Sequence, residues 1–247
     1  MVIGICRLCT QEKKLLSSHI IPKSYFKFLK GGASQLAVIN ENSTKIVMSN
    51  ADVRENLFCK DCEKFLDNNY EKYGTRILKN RSRITRKPDN TLEITYEFKK
   101  LYLYFLSILW RVSISETYKD INLDLIEEPL RKCIYHNTLA FKDKLNIDDL
   151  IQVQLIKLYD KTGNASQYKL RKVFFDFKVT KDDDGLTFYW VIDGFRISYY
   201  VGLGDEGTIS TLSKEGKTTI VERDVSFYSF FIDGINLMCD LRDRSLK

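Results

Sequence analysis

Proline and methionine each occur only three times in 247 residues, tryptophan and histidine only twice, and glycine twelve times. So little proline and glycine leaves no room for a low-complexity or polyproline segment, and no internal repeat is visible. Hydrophobic residues make up 44% and aromatics 13%, enough to bury a sizeable core, which argues against disorder. Long hydrophobic runs are also missing. The most apolar stretch, residues 101–114, contains Arg111 and falls short of the roughly 20 apolar residues that a membrane-spanning helix needs. Met1-Val2-Ile3-Gly4-Ile5-Cys6 puts no basic segment ahead of an apolar one, as a secretory signal does. The chain reads as cytoplasmic, as one large or two small domains, with no membrane partner.

Charge is present but uneven. Residues 1–100 carry 19 Lys and Arg against 11 Asp and Glu, whereas residues 101–247 carry 20 against 22. Between Lys72 and Lys87 stand seven basic residues (Lys72, Arg76, Lys79, Arg81, Arg83, Arg86, Lys87) and no acidic one. Such a run is either a solvated face beside a loop or a contact for a polyanion.

Four of the six cysteines form two Cys-x-x-Cys pairs, Cys6-Arg7-Leu8-Cys9 and Cys59-Lys60-Asp61-Cys62, with 49 residues between them. Two thiolates three residues apart can grip one tetrahedral ion at about 2.3 Å, and two such pairs complete a closed site. Disulfides are disfavoured in a cytoplasmic chain, and a redox pair needs no second copy. The reading is one structural Zn2+ on Cys6, Cys9, Cys59 and Cys62, with an inserted structure between the two halves. A closed site has no open coordination position, so it holds the fold and any catalysis comes from elsewhere. Cys133 and Cys239 lie in apolar contexts and read as buried thiols.

Of the two histidines, His136 follows a helical stretch and reads as a helix C-terminal residue. His19 stands in Ser17-Ser18-His19-Ile20-Ile21-Pro22-Lys23, and taken alone it reads as a histidine capping the turn before Pro22. Its context adds a second reading. A Cys-x-x-Cys pair, then His-Ile-Ile-Pro, then Gly31-Gly32, then a Cys-x-x-Cys pair opening a helix resembles the HNH endonucleases, whose fold is the ββα-metal finger. The chain is also similar to a group of stand-alone bacterial proteins related to these nucleases. The matching elements are Ser18-His19-Ile20-Ile21-Pro22, Arg54-Glu55, Cys59-x-x-Cys62-Glu63, Tyr70-Glu71 and a Leu-Ser-Ile-Leu-Trp-Arg helix ending at Arg111. The resemblance covers residues 5–135 or thereabouts. It implies a zinc-stapled finger in which His19 activates water against a phosphodiester. The helix after the second pair supplies a ligand, Glu63 with Glu71 beside it, for a catalytic Mg2+ or Mn2+. The group's association with mobile-element and anti-phage repertoires implies such a role here. Ser18 stands where the family has an acidic or histidine ligand, Glu63 stands where it has a histidine, and its middle asparagine has no counterpart. The alternative is therefore a degenerate finger that binds nucleic acid or a protein partner without cutting.

The residues of that helix can be read on their own. Leu66, Tyr70, Tyr73 and Ile77 recur at helical spacing and predict one buried stripe. Glu63, Asp67 and Glu71, spaced i, i+4 and i+8, predict an acidic row beside it. Carboxylate oxygens suit a hard divalent ion; the other reading is a solvated face paired with Lys60 and Lys64, which is preferred for Asp67. Histidine supplies a base near neutral pH with little tuning, so neutral His19 would take the proton from water. Arg54 would clamp a phosphate through its planar fork, or equally serve as an internal partner for Glu63 or Glu71. Lys23, Arg76, Arg81, Arg83, Arg86 and Lys87 would bind flanking phosphates of DNA, ahead of RNA, in a salt-sensitive way.

Beyond the finger, residues 99–116 predict a helix apolar almost all round, the mark of a central core element. A second helix is expected over 124–135, with Glu127 and Glu128 early and Arg131 and Lys132 late; Pro129 marks either its first turn or a kink. From Ile151 β-branched and aromatic residues alternate, predicting strands over 151–159, 168–180, 186–202, 208–212, 218–221 and 226–232, with hairpin turns at 182–185 and 214–217. The expected fold is α+β: a zinc-bound finger over residues 1–87, a helical core segment over 88–145 and an antiparallel β domain over 146–247. That last segment has no histidine and no glycine-rich phosphate loop, so no catalytic constellation. Its aromatics Phe188, Tyr189, Trp190, Tyr199 and Tyr200 either stack on bases or, as preferred, fill the core. A protein partner would dock through this sheet.

Overall fold

The computed structural model describes residues 2–30, 36–39, 46–49, 53–89, 91–142, 145–163, 165–182, 185–202 and 211–227. Gly31-Gly32, Cys239, the Arg81 side chain and most of the strands expected over 208–212 and 226–232 lie outside the described residues.

The chain begins with strand β1 (Val2–Ile5), the first cysteine turn and β2 (Glu12–His19), then helix α1 (Lys23–Lys30), the hairpin β3 (Leu36–Ile39) and β4 (Ile46–Ser49), and β5 (Arg54–Cys59). β2 pairs antiparallel with β1 on one side and β5 on the other, with a register shift between Leu16 and Ser17. The second cysteine pair opens α2 (Lys60–Leu66), which passes through a π-helical turn (Asp67–Glu71) into α3 (Lys72–Lys79). Two antiparallel strands followed by a helix is a ββα unit. The expected stripe of Leu66, Tyr70, Tyr73 and Ile77 is buried. The π turn is not expected from the spacing. It arises where the Asn69 side chain donates to the Phe65 carbonyl at 2.9 Å, occupying an acceptor one α-turn back, and where the Tyr70 hydroxyl is drawn to the Ile134 carbonyl at 2.6 Å.

Next come β6 (Ile84–Arg86), β7 (Leu92–Thr95), α4 (Phe98–Ser113) and α5 (Glu127–Tyr135). Every residue of α4 from 101 to 112 is buried, as its apolar circumference requires. Pro129 sits in the first turn of α5, where its missing N–H leaves no bond broken, and His136 caps the C-terminus. The remaining elements are β8 (Ala140–Lys142), β9 (Leu145–Asn146), β10 (Ile151–Tyr159), a short α6 (Gln167–Leu170), β11 (Phe175–Asp182), β12 (Gly185–Ile192), β13 (Phe195–Val201) and β14 (Lys217–Asp224).

The architecture is mixed α+β, with N-terminal strands and the cysteine cluster, central helices and a C-terminal antiparallel sheet region. That region, β11-β12-β13-β10, is the middle of a nine-stranded sheet ordered β4-β3-β11-β12-β13-β10-β14-β7-β6. β3 joins β11, and β14 joins β10, in parallel. The sheet thus draws strands from all three sequence segments. Residues 186–202 form a hairpin instead of one strand: Asp193 and Gly194, at φ 53° and 77°, make a two-residue turn between β12 and β13, the left-handed pair that such a turn demands. Residues 167–170 fold as a helical turn capped by Ser166, so the expected strand starts only at Phe175.

One hydrophobic cluster runs from Cys6 and Leu8 through α4 to Trp190 and Tyr199. Phe58 of β5 stacks on Trp110 at 5.6 Å, and Phe177 stacks on Trp190 at 5.0 Å. Phe188, Trp190 and Tyr199 are fully buried and fill this core. Among the described residues no helix is long and apolar enough to cross a membrane. α3 lies so close to α4 that a Cβ on Gly74 would fall 2.1 Å from the Tyr104 ring. Gly74→Ala should therefore destabilise the protein by about 1–3 kcal/mol or more by overpacking, although alanine favours helix; a urea titration of both proteins measures it.

Candidate metal centre and the polar cluster beside it

Cys6 and Cys9 lie in the turn between β1 and β2. The Cys6 N–H donates to the Gln11 carbonyl at 2.9 Å and the Thr10 N–H to the Cys6 carbonyl at 2.8 Å, with Thr10 in the left-handed region at φ 58°. Cys59 closes β5 and Cys62 sits in the first turn of α2. The two turns are tied directly: the Arg7 N–H donates to the Leu57 carbonyl at 2.9 Å, and the Cys59 N–H to Cys6 Sγ at 3.3 Å. All four sulfurs come within 4.8 Å of one another, close to the roughly 3.8 Å edge of a tetrahedron with ~2.3 Å bonds. Cys6, Cys59 and Cys62 are buried and Cys9 half-buried. A hydrogen bond from Cys62 holds the Cys6 thiol down at about 4 against the effect of burial, while Cys62 itself is pushed far up by that same bond and by burial. Cys6 and Cys62 are thus pulled in opposite directions, a conflict that a bound cation would relieve. The cluster can therefore hold a metal ion such as zinc. Among the described residues it is the one group of three or more Cys, His, Asp or Glu whose ligand atoms converge in this way.

Beside it lies a second, mixed cluster. Ser18 is buried at the end of β2. Burial raises the Glu63 carboxyl above its ordinary range; a hydrogen bond from Ser18 and the charge of Arg111 oppose the rise, and the Glu71 and Asp67 carboxylates add to it. Arg111, from α4, donates through Nη1 to Glu71 Oε1 at 2.6 Å and to the His19 carbonyl at 3.1 Å, and through Nε to the Ser107 carbonyl at 3.1 Å. Glu63 Oε1 and Arg111 Nη2 are both buried and make no hydrogen bond. The cation held against Glu71 is thus Arg111. The sequence offers a signal for it, since a lone arginine inside an apolar helix needs a buried counter-charge. Its partner, 40 residues back in the chain, has no local signature.

His19 pairs with Arg54 across β2 and β5; its ring is half-buried and its Nε2 is shielded from solvent. Arg54 is exposed, on a cavity of about 610 Å3 that Arg7, Asn56 and Lys119 also line. Glu55, by contrast, is structural. It accepts bonds from the Ser115 hydroxyl, the Glu116 and Thr117 N–H groups and the Thr117 hydroxyl. Burial would raise its carboxyl, but these bonds outweigh that and lower it.

On the other side of Glu71 opens a cleft of about 370 Å3 lined by Lys23, Ser24, Asp67, Glu71, Lys72, Thr75 and Arg76. Lys23 and Arg76, far apart in sequence, meet here. The rest of the basic run divides. Lys72 pairs with Asp67 at 2.9 Å, and Lys79 turns inward to the Ser24 carbonyl at 2.6 Å. Arg83 is exposed, and Arg86 and Lys87 pair with Glu222 and Glu93 at 2.9 Å each on the sheet. No protein-family model matches the chain, and the comparisons with the curated proteins and with the solved structures found no match.

Proposed function

We propose that the N-terminal ββα unit is a zinc-stapled metal finger of the HNH type and that the chain is a metal-dependent endonuclease acting on DNA. One juxtaposition carries the reading: the end of β2 that bears His19 and the Glu71 side of the finger helix meet at the Arg111 guanidinium, at the edge of a cleft lined by Lys23 and Arg76. Zinc on the four cysteines holds strands to helix and takes no part in the chemistry. His19 takes the proton from the attacking water. Lys23 and Arg76 hold the phosphates either side of the scissile bond. Glu63, whose buried Oε1 makes no hydrogen bond, and Glu71 are the oxygen donors for Mg2+ or Mn2+, which when bound stabilises charge on the phosphoryl oxygens.

Purified protein should nick supercoiled plasmid with Mg2+ or Mn2+, and His19→Ala should slow nicking by about 100-fold or more while retaining its zinc. Equal rates for the two proteins would remove His19 from the mechanism. A second reading, a module that binds nucleic acid or a protein without cutting, is favoured by one observation: Glu71 is already neutralised by Arg111. Calorimetry with Mn2+ separates the two. Saturable binding lost in Glu63→Ala supports the nuclease, and no binding even with DNA present supports the module.

A further inference from the structure

Behind Glu71, on its buried side, stands a single guanidinium. The Arg111 side chain is 2% exposed, in a helix whose neighbouring positions Leu109, Trp110 and Val112 are apolar and buried. A methionine or leucine would pack there without the desolvation that a buried cation incurs. The bonds of Arg111 explain its presence. Nε anchors the group to the Ser107 carbonyl of its own helix, and Nη1 is shared between the Glu71 carboxylate and the His19 carbonyl. Three elements that are remote in sequence, the end of β2, the π turn and α4, thus meet on one planar group. The π turn contributes to the arrangement, because Glu71 is its last residue and Asp67, its first, is held by Lys72 on the outside.

We propose that Arg111 is the positioning residue of the site: it fixes the His19 end of β2 against the Glu71 side of the finger helix, and so sets the base relative to the acidic row. This role rests on the nuclease reading. Arginine is needed rather than lysine because only a rigid fork can hold a carbonyl, a carboxylate and its own helix at once; an ammonium is a point charge on a flexible stem. By neutralising Glu71, Arg111 also leaves Glu63 as the cluster's carboxylate with a buried oxygen still uncommitted. Catalytic geometry is thereby coupled to the central helix, and through it to the core shared with the sheet.

The test compares the full-length wild type with Arg111→Lys, and with Phe177→Leu as a sheet-core control of lowered stability. Zinc content, plasmid-nicking kinetics and NMR signals of labelled histidine and arginine are recorded. In Arg111→Lys, zinc should remain at the wild-type level, KM for DNA should stay within about twofold and kcat should fall about 10- to 100-fold, the size of loss that a misplacement of order 1 Å produces. The His19 ring and amide signals should move. Phe177→Leu should lower the melting temperature with kcat unchanged. An unchanged kcat with unmoved His19 signals in Arg111→Lys overturns the proposal, as does a loss of kcat in Phe177→Leu that matches its loss of stability. If the wild type does not nick DNA, the nuclease reading fails, while movement of the His19 signals still reports whether Arg111 positions this strand end. If Arg111→Lys does not fold, exchange of the Arg111 Nη protons in the wild type takes its place: slow exchange supports the triple tie, and solvent-like exchange refutes it.

Discussion

Metal analysis of the purified chain should return about one zinc, and stripping it should unfold the N-terminal ββα unit first. The basis is the way the fold is closed. β1 lies at one edge of a three-stranded sheet, with Val2, Ile3 and Ile5 exposed. The four sulfurs and the Arg7–Leu57 backbone bond tie its turn to the end of β5 and the start of α2, and a hydrogen bond from Arg131 to the Leu8 carbonyl ties it to α5. Structural zinc in small finger peptides supplies about 10–16 kcal/mol of apparent binding free energy near neutral pH, and in such sites binding free energy is folding free energy. With a strong chelator, or in Cys62→Ser, residues 2–19 and 54–66 should become the first protease-sensitive region. α4 and the β11–β13 sheet should keep slow amide exchange, because their apolar contacts do not pass through the metal. Phe58 stacks directly on Trp110, so tryptophan fluorescence should report the loosening. A metal-free chain with an intact, protease-resistant N-terminal region refutes the site.

Arg111→Met should be the most damaging single substitution in the polar cluster. The buried guanidinium is the counter-charge of Glu71, whose side chain is 21% exposed, and it also lowers the burden on Glu63. Removing one partner of a buried pair leaves the other uncompensated and costs about 3–5 kcal/mol, a fall of roughly 10 °C in melting temperature for a chain of this size. The loss should depend on pH in a stated direction. The Glu63 carboxyl is already raised by burial, and the Arg111 charge opposes that rise, so removing Arg111 raises it further above its unfolded value. Its protonated form then favours the folded state at low pH, and that advantage disappears as pH rises through the raised value. The gap between wild type and Arg111→Met should therefore be largest near neutrality and shrink in the acid range. The double variant Arg111→Met, Glu71→Leu should recover most of the stability, since replacing both members of a buried pair by apolar groups is often close to neutral. A double variant no more stable than the single one would show that the guanidinium matters through the His19 and Ser107 carbonyls instead.

Local chemistry wrote several features directly into the sequence. Cys-x-x-Cys spacing forces each pair of sulfurs together whatever surrounds it, and the two pairs do meet in one cluster. The helical period of Leu66, Tyr70, Tyr73 and Ile77 needs only a core on one side, and the all-round apolarity of α4 needs a core on every side; both are buried as their patterns demand. The Asp193-Gly194 turn does not read from the pattern, because the apolar residues on either side of it look like one strand. Tertiary structure alone decided the pairings that join distant segments. β3 and β4 enter the large sheet through β11, and β6 and β7 enter through β14. The basic run divides between the cleft, the interior and the sheet. Glu71 takes its cation from Arg111, on the central helix 40 residues further along the chain. The physical reason is the same in each case. A periodic pattern states which face of an element must leave water, and a charge states that it needs a partner, but neither states which of the many compatible faces or charges elsewhere in the chain will be brought against it.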